Sequence, residues 1–285
     1  MSKTIVRDEV FDEERALYGL RDAEVVGCRF DGPEDGESAL KETRNLRISD
    51  CTFALRYPIW HCDVFDLSSS VMTEACRAPL WYSSHGKMTG CEVRGVKCLR
   101  ECSSIEISDC RISSPEFGWK CRDVDISDSE MEGEYFMLDS SDVRMTDASF
   151  SGKYSFQYVD GGDIDGCQLD TKDAFWHSRN VTIRDSVVKG EYLGWYSENL
   201  TLIDCTVIGT QPLCYCRGLR LVRCRMEGAD LAFENSDVDV DIIGSVDSVK
   251  NPRSGRIVAD GIGEVICDRM PEGAEIVVRS SDGDA

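Results

Sequence analysis

The chain has 285 residues, 41% of them hydrophobic and 30% charged, and a formal net charge of −21. That balance argues against nucleic acid as a partner, because affinity for a phosphate backbone rests on Lys and Arg neutralising it. Anionic membrane surfaces and bare polyanions such as polygalacturonate are disfavoured for the same reason.

The first residues, MSKTIVRDEVFDEERALYG, contain no apolar signal region. No stretch approaches the ~18 apolar residues of a membrane span, so a cytoplasmic protein is expected. Residues 1–22 carry charge and few small residues and suit an N-terminal cap. A cap is needed because the end of an open β-stack exposes strand edges.

From Ala23 a single unit dominates: apolar-x-apolar-x-x-small-x-apolar. It reads AEVVGCRF from Ala23, LRISDCTF from Leu46, FDLSSSVM from Phe65 and GKMTGCEV from Gly86. IEISDCRI from Ile105, VDISDSEM from Val124, VRMTDASF from Val143 and GDIDGCQL from Gly162 continue it. VTIRDSVV from Val181, LTLIDCTV from Leu200 and LRLVRCRM from Leu219 follow, with a weaker echo at Val238. From Leu46 onward the spacing is 19 residues, with Gly86 two residues late. Strict spacing of this kind specifies a solenoid with one coil per repeat.

Apolar residues alternating over so few positions predict strands. A 19-residue repeat is too short for paired helices, whose repeats run ~33–47 residues, and the leucine-rich consensus is absent. The expected fold is all-β, a right-handed parallel β-helix, with coils over residues 23–245. Residues 246–285 are expected to form distorted final coils, a C-terminal cap and a mobile tail from Ser280.

Cysteine is abundant, but Cys28, Cys51, Cys91, Cys110, Cys167, Cys205 and Cys224 all occupy the sixth position of the unit. Ser70, Ser129, Ser186 and Ala148 replace them elsewhere, so the position asks for a small buried side chain, not a disulfide or a reactive thiol. Asp at the fifth position (Asp50, Asp109, Asp128, Asp147, Asp185, Asp204) reads as a corner residue. The glycine-rich pattern of calcium-binding β-rolls is missing. The recurrent Gly95, Gly133, Gly152, Gly190, Gly209 and Gly228 mark a second corner where the chain turns in a conformation Gly tolerates. The Cys98/Cys102 and Cys214/Cys216 spacings do not match a zinc site. No metal or cofactor is expected, and His85 reads as a loop histidine.

The second stretch of each coil is the most unusual. Trp60, Trp81, Trp119, Trp176 and Trp195, all the tryptophans of the chain, share one position, with Phe233 at the same place. The next position gives His61, Tyr82, Glu101, Lys120, Asp139, Tyr158, His177, Tyr196, Tyr215 and Glu234. Strand alternation sends one column inside and the other out. Small residues two places after the Trp favour Trp inside, with Arg100 and Gln157 awkward there; a buried Arg100 needs a carboxylate partner. If instead Trp faces out, it forms a flat strip suited to sugar rings or a protein.

With Trp inside, His61, Tyr82, Tyr158, His177, Tyr196 and Tyr215 line a ligand-binding face. Glu101, Lys120 and Asp139 sit on three successive rungs in its middle. Two rungs separate the carboxylates by ~9.6 Å, near the ~6.5–9.5 Å of inverting glycosidases, and Lys120 is placed to serve as the base of a β-elimination. A ladder of mixed charges is also an ordinary exposed sheet surface.

The segments ERALYG (Glu14 to Gly19), YPIW (Tyr57 to Trp60), DAFW (Asp173 to Trp176), GEYLGWYSENLT (Gly190 to Thr201) and DSVKNPRSG (Asp247 to Gly255) resemble a bacterial family of uncharacterised function. That family is similar to the pectin-lyase-like β-helix class. The resemblance implies a single-stranded right-handed β-helix and brings no activity and no functional residues. The expected role is a non-catalytic scaffold presenting a face to a carbohydrate or protein partner, with self-association open. The alternative is a polysaccharide or oligosaccharide hydrolase or lyase acting through Glu101, Lys120 and Asp139.

Overall fold

The computed structural model describes residues 4–32, 38–269 and 273–279. The tail expected from Ser280 lies outside them. The described residues contain no helix, and their strands pair in parallel as stacked coils of a β-solenoid. Two compact units divide at Ser149 and Phe150.

In the first unit the long strands Thr4–Arg7, Arg21–Val26, Arg44–Ser49, Asp63–Ser68, Ser84–Thr89, Ser103–Ser108, Arg122–Ser127 and Ser141–Thr146 stack rung on rung. Register follows the repeat: Leu46 opposes Phe65, Ile105 opposes Val124, and Val124 opposes Val143. The first strand already pairs with Arg21–Val26, so residues 4–7 form a rung of the stack. In the second unit Asp160–Asp165, Arg179–Arg184, Thr201–Ile203, Leu219–Glu227, Asp237–Lys250, Ser254–Ile266 and Glu275–Val278 stack likewise.

The first and third apolar positions point inward. Ile105, Ile107, Val124 and Ile126 are buried while Glu106 is exposed. Burying such side chains contributes about 1.5–3 kcal/mol each before the entropy of ordering is set against it. Gly86 takes an apolar position because the Phe65 ring fills its space: a Cβ there would meet Phe65 at 2.1 Å.

The fifth position is a left-handed corner, with Asp50, Asp109 and Asp128 at φ of 55°, 54° and 48°. Asp tolerates that region because its side chain bonds nearby backbone. The turn unpairs the next backbone N–H, and the small sixth side chain restores its partner. The Cys51, Cys110 and Cys167 amides donate to the Oγ of Ser70, Ser129 and Ser186 one coil on, at 3.0, 3.0 and 2.9 Å. Each hydroxyl in turn donates to the carbonyl two residues back in its own coil. A sulfur also serves, as Cys110 Sγ does for the Cys91 amide at 3.4 Å. The column therefore asks for a small side chain, and where it is Ser or Cys that side chain also accepts the hydrogen bond; Ala148 meets only the size requirement.

The recurrent glycines have a different cause from the one expected at some positions. Gly95 and Gly133 have φ values open to any residue. A Cβ on them would meet the preceding coil's carbonyl, Cys76 O at 2.6 Å and Ser114 O at 2.3 Å. Close approach of the backbone excludes a side chain there.

Candidate functional site

The second stretch does not alternate. His61, Tyr82, Glu101, Lys120, Asp139, Tyr158, His177, Tyr196 and Tyr215 all have φ between 50° and 62°, the left-handed region. A left-handed residue turns the chain and cancels the in-out rule, so neither column is inside. The five tryptophans are half-buried, and the residues after them project outward. The core is filled instead by the residue before the Trp position, such as Ile59, Leu80, Leu99 (before Arg100) and Phe175, and by the small residue two places after it, such as Cys62 and Ser83.

Four of the five indoles bond the backbone of the next coil. Trp60 Nε1 donates to Ala78 O at 2.7 Å, Trp81 Nε1 to Lys97 O at 2.6 Å, and Trp176 and Trp195 to Tyr192 O and Gln211 O at 2.6 and 2.7 Å. Gln157 does the same with its amide, Nε2 to Asp173 O at 2.8 Å. Trp60 stacks on Trp81 at 5.5 Å, and Trp176 on Trp195 at 5.5 Å. Arg100 is not buried. It lies between the Trp81 and Trp119 rings and bonds the exposed Glu101 Oε1 at 3.4 Å, so the need of a buried Arg100 for a carboxylate does not arise. Trp119 Nε1 alone is buried without a hydrogen-bond partner, its ring set edge-on to Tyr135.

In the second unit the outward column is an aromatic ladder. Tyr158, His177, Tyr196 and Tyr215 stack in sequence with centroids 5.0, 5.0 and 4.9 Å apart and planes within 13°. Tyr158 is 52% exposed and Tyr196 43%, so ring edges and phenol oxygens face solvent while the inner ring faces cover one another. Burial and the Glu234 carboxylate hold the Tyr215 phenol above its ordinary range. Glu234 and Phe233 sit one column earlier than expected. Cys216 N reaches Ser236 Oγ twenty residues on, where the usual step is nineteen. That extra residue places Phe233 in the core, Glu234 in the Trp column beside Lys250, and Asn235 in the outward column.

In the first unit the ladder begins with His61 on Tyr82, centroids 4.9 Å apart, then passes to Glu101, Lys120 and Asp139. Lys120 Nζ is 3.9 Å from Asp139 Oδ2, and the two side chains are more than half exposed. Glu101 turns to Arg100. The arrangement is an exposed run of alternating charges on successive rungs.

Several thiols of the coils are raised by burial, Cys62 up to about 11 and Cys76 up to about 12, and Cys214 and Cys216 up to about 12 and about 11. Among the described residues no group of three His, Cys, Asp or Glu is arranged to hold a metal. Asp173, unmarked in the sequence, is nearly buried at a left-handed corner, and burial raises its carboxyl above the usual range.

The family profile described as "Protein of unknown function (DUF3737)" matches residues 4–277, and the chain belongs to that family. No curated protein matches it. Among solved structures it is similar to PfbA, a surface adhesin of Streptococcus pneumoniae, at 10% identity and a TM-score of 0.42, covering 90% of this chain and 82% of that one. It is similar to the catalytic domain of a GH87 alpha-1,3-glucanase in complex with nigerose, at 10% identity and a TM-score of 0.48. That match covers 98% of this chain and 64% of the glucanase chain. An exopolygalacturonase from Thermotoga maritima matches at 10% identity and a TM-score of 0.35, over 99% of this chain and 84% of that one.

Proposed function

We propose that this DUF3737 member is a non-catalytic binding scaffold and that its contact surface is the outward ladder Tyr158, His177, Tyr196 and Tyr215. The observation that carries the proposal is the stack itself: four rigid rings on consecutive rungs, spaced at 4.9–5.0 Å, with the edges of Tyr158 and Tyr196 in solvent. Tyr offers a large amphipathic contact at low entropic cost, which is why it is enriched in recognition surfaces. The ladder also carries no formal charge when His177 is neutral, in a chain that is 30% charged.

The stacking selects the kind of partner. A sugar ring packs on an aromatic face, and the faces of His177 and Tyr196 are covered on both sides. Ring edges with phenol hydroxyls suit a protein surface, which supplies carbonyl acceptors and apolar side chains together. A photo-cross-linking residue at Tyr196, compared with one at exposed Lys189, tests this in extract of the producing cell. A discrete protein adduct at position 196 that is absent at 189 and lost in Tyr158→Ser supports the proposal. Adducts equal at both positions, together with saturable quenching of Trp176 and Trp195 fluorescence by an oligosaccharide, would replace the protein partner with a carbohydrate.

A further inference from the structure

We propose a second site, independent of the ladder: a small-oxyanion site between Arg21 and Arg44 on the first coils of the N-terminal unit. The two arginines are direct register partners on neighbouring strands. Both are exposed, and they line a cleft of about 430 Å³ with Asp22, Asn45 and Val64.

Many neighbouring rungs set opposite signs together, as in Arg111 with Glu130 at 2.7 Å, Lys189 with Asp170 at 2.7 Å and Lys172 with Glu191 at 2.8 Å, whereas Arg21 and Arg44 set two cations together. Like charges directly opposite each other on a sheet are unfavourable, and an anion between them removes the conflict. Guanidinium groups one rung apart, ~4.8 Å at the backbone, can each give paired N–H donors to a carboxylate or phosphate.

The surrounding residues leave the arginines available. Arg44 meets Asp63 Oδ2 through Nε, at 3.4 Å. The other Asp63 oxygen is held by His85 Nδ1 at 2.8 Å and Ser84 Oγ at 3.0 Å. Asp22 faces Asn45, whose Nδ2 donates to it at 2.6 Å.

Val64 is the second observation. Its column is left-handed and carries Asp22, Asn45, His85, Ser104 and Asp123 in the other coils. Asn45, His85 and Ser104 each bond a nearby acid, namely Asp22, Asp63 and Asp123. Val64, at φ 57°, is the only β-branched residue in the left-handed region among the described residues, and it is 41% exposed. Backbone strain of this kind gathers at binding sites. Here it places an apolar wall beside the cleft where other coils put a polar side chain bonded to an acid. The charge of −21 opposes non-specific anion binding, so affinity at this cleft must come from local donors.

The probe is inorganic phosphate, titrated calorimetrically into the full chain at constant ionic strength. Arg21→Gln is compared with Arg77→Gln, which removes the same charge from another exposed position of the unit. Melting curves establish that both variants fold. Expected are saturable one-site binding, at least tenfold weaker binding in Arg21→Gln, and no change in Arg77→Gln. A parallel titration with acetate distinguishes a carboxylate ligand from a phosphate ligand. Non-saturable heats in the unaltered chain, or equal affinities in the two variants, overturn the site.

Discussion

The guanidinium carbon of Arg100 lies 4.9 Å from the centre of the Trp81 ring and 5.7 Å from that of Trp119. A cation thus takes the place of an indole in the tryptophan column and keeps the stack closed. Its flat, weakly hydrated shape is what permits this.

Arg100→Ala should therefore cost about 1 kcal/mol, the range of a partly exposed cation–π contact, plus lost packing of the stem. Urea unfolding of the intact chain measures it. Arg100→Lys should recover part of the loss, since an ammonium keeps the charge but not the planar stack. An unchanged midpoint in Arg100→Ala would show that the indoles need no cation between them.

The sixth-position column makes a sharper case. Ser129 Oγ accepts the buried Cys110 amide at 3.0 Å and donates to Ser127 O at 2.7 Å. Ser129→Ala leaves that N–H without a partner, at a cost of about 1–3 kcal/mol. Ser129→Cys should cost clearly less, because sulfur fills the same role at Cys110. If Ala and Cys prove equally tolerated at 129, size alone governs the column.

Two glycines of one recurrent position should behave differently. A Cβ at Gly190 would meet Thr171 O at 2.0 Å, with φ at +150°. Gly190→Ala should cost on the order of 3 kcal/mol, because a backbone carbonyl cannot move aside. Gly228 has φ +56°, and a Cβ there would meet nothing within 4 Å. Gly228→Asn should stay within about 1 kcal/mol, since Asn visits that region readily. Thermal unfolding of both variants separates close approach from conformation.

Stability should fall in acid partly through Asp237. Hydrogen bonds from Arg253, then from Ser254, hold its carboxyl below the ordinary range despite partial burial. A carboxyl lowered in the native state adds stability above its unfolded pKa of ~3.9 and loses it as pH falls through the lower native value. Asp237→Asn should be less stable than the parent at pH 7, and the gap should close below pH ~3.9. A gap that is constant with pH would assign the loss to packing.

How far the sequence reaches differs between the two halves of each coil. In the first half, apolar residues at positions one, three and eight are enough to specify rung, register and face. Ile105, Ile107 and Ile112 are all buried as that alternation requires. The Asp corner is legible too, because Asp is among the few residues at ease in a left-handed turn. In the second half the same alternation fails. His61, Tyr82, Lys120 and Tyr215 are left-handed although nothing in those residue types announces it.

The periodicity of the chain by itself determined a parallel β-solenoid of nineteen-residue steps, because strand stacking converts sequence spacing directly into height. Only the tertiary structure decided that Trp and His/Tyr columns both face outward. It alone placed Glu234 in the Trp column beside Lys250. Those outcomes depend on where the backbone takes positive φ and where one extra residue enters a coil. At the Trp column the turn is held by the carbonyls and amides of neighbouring rungs more than by the residue that makes it, and the extra residue shows its place only through the hydrogen bonds between coils.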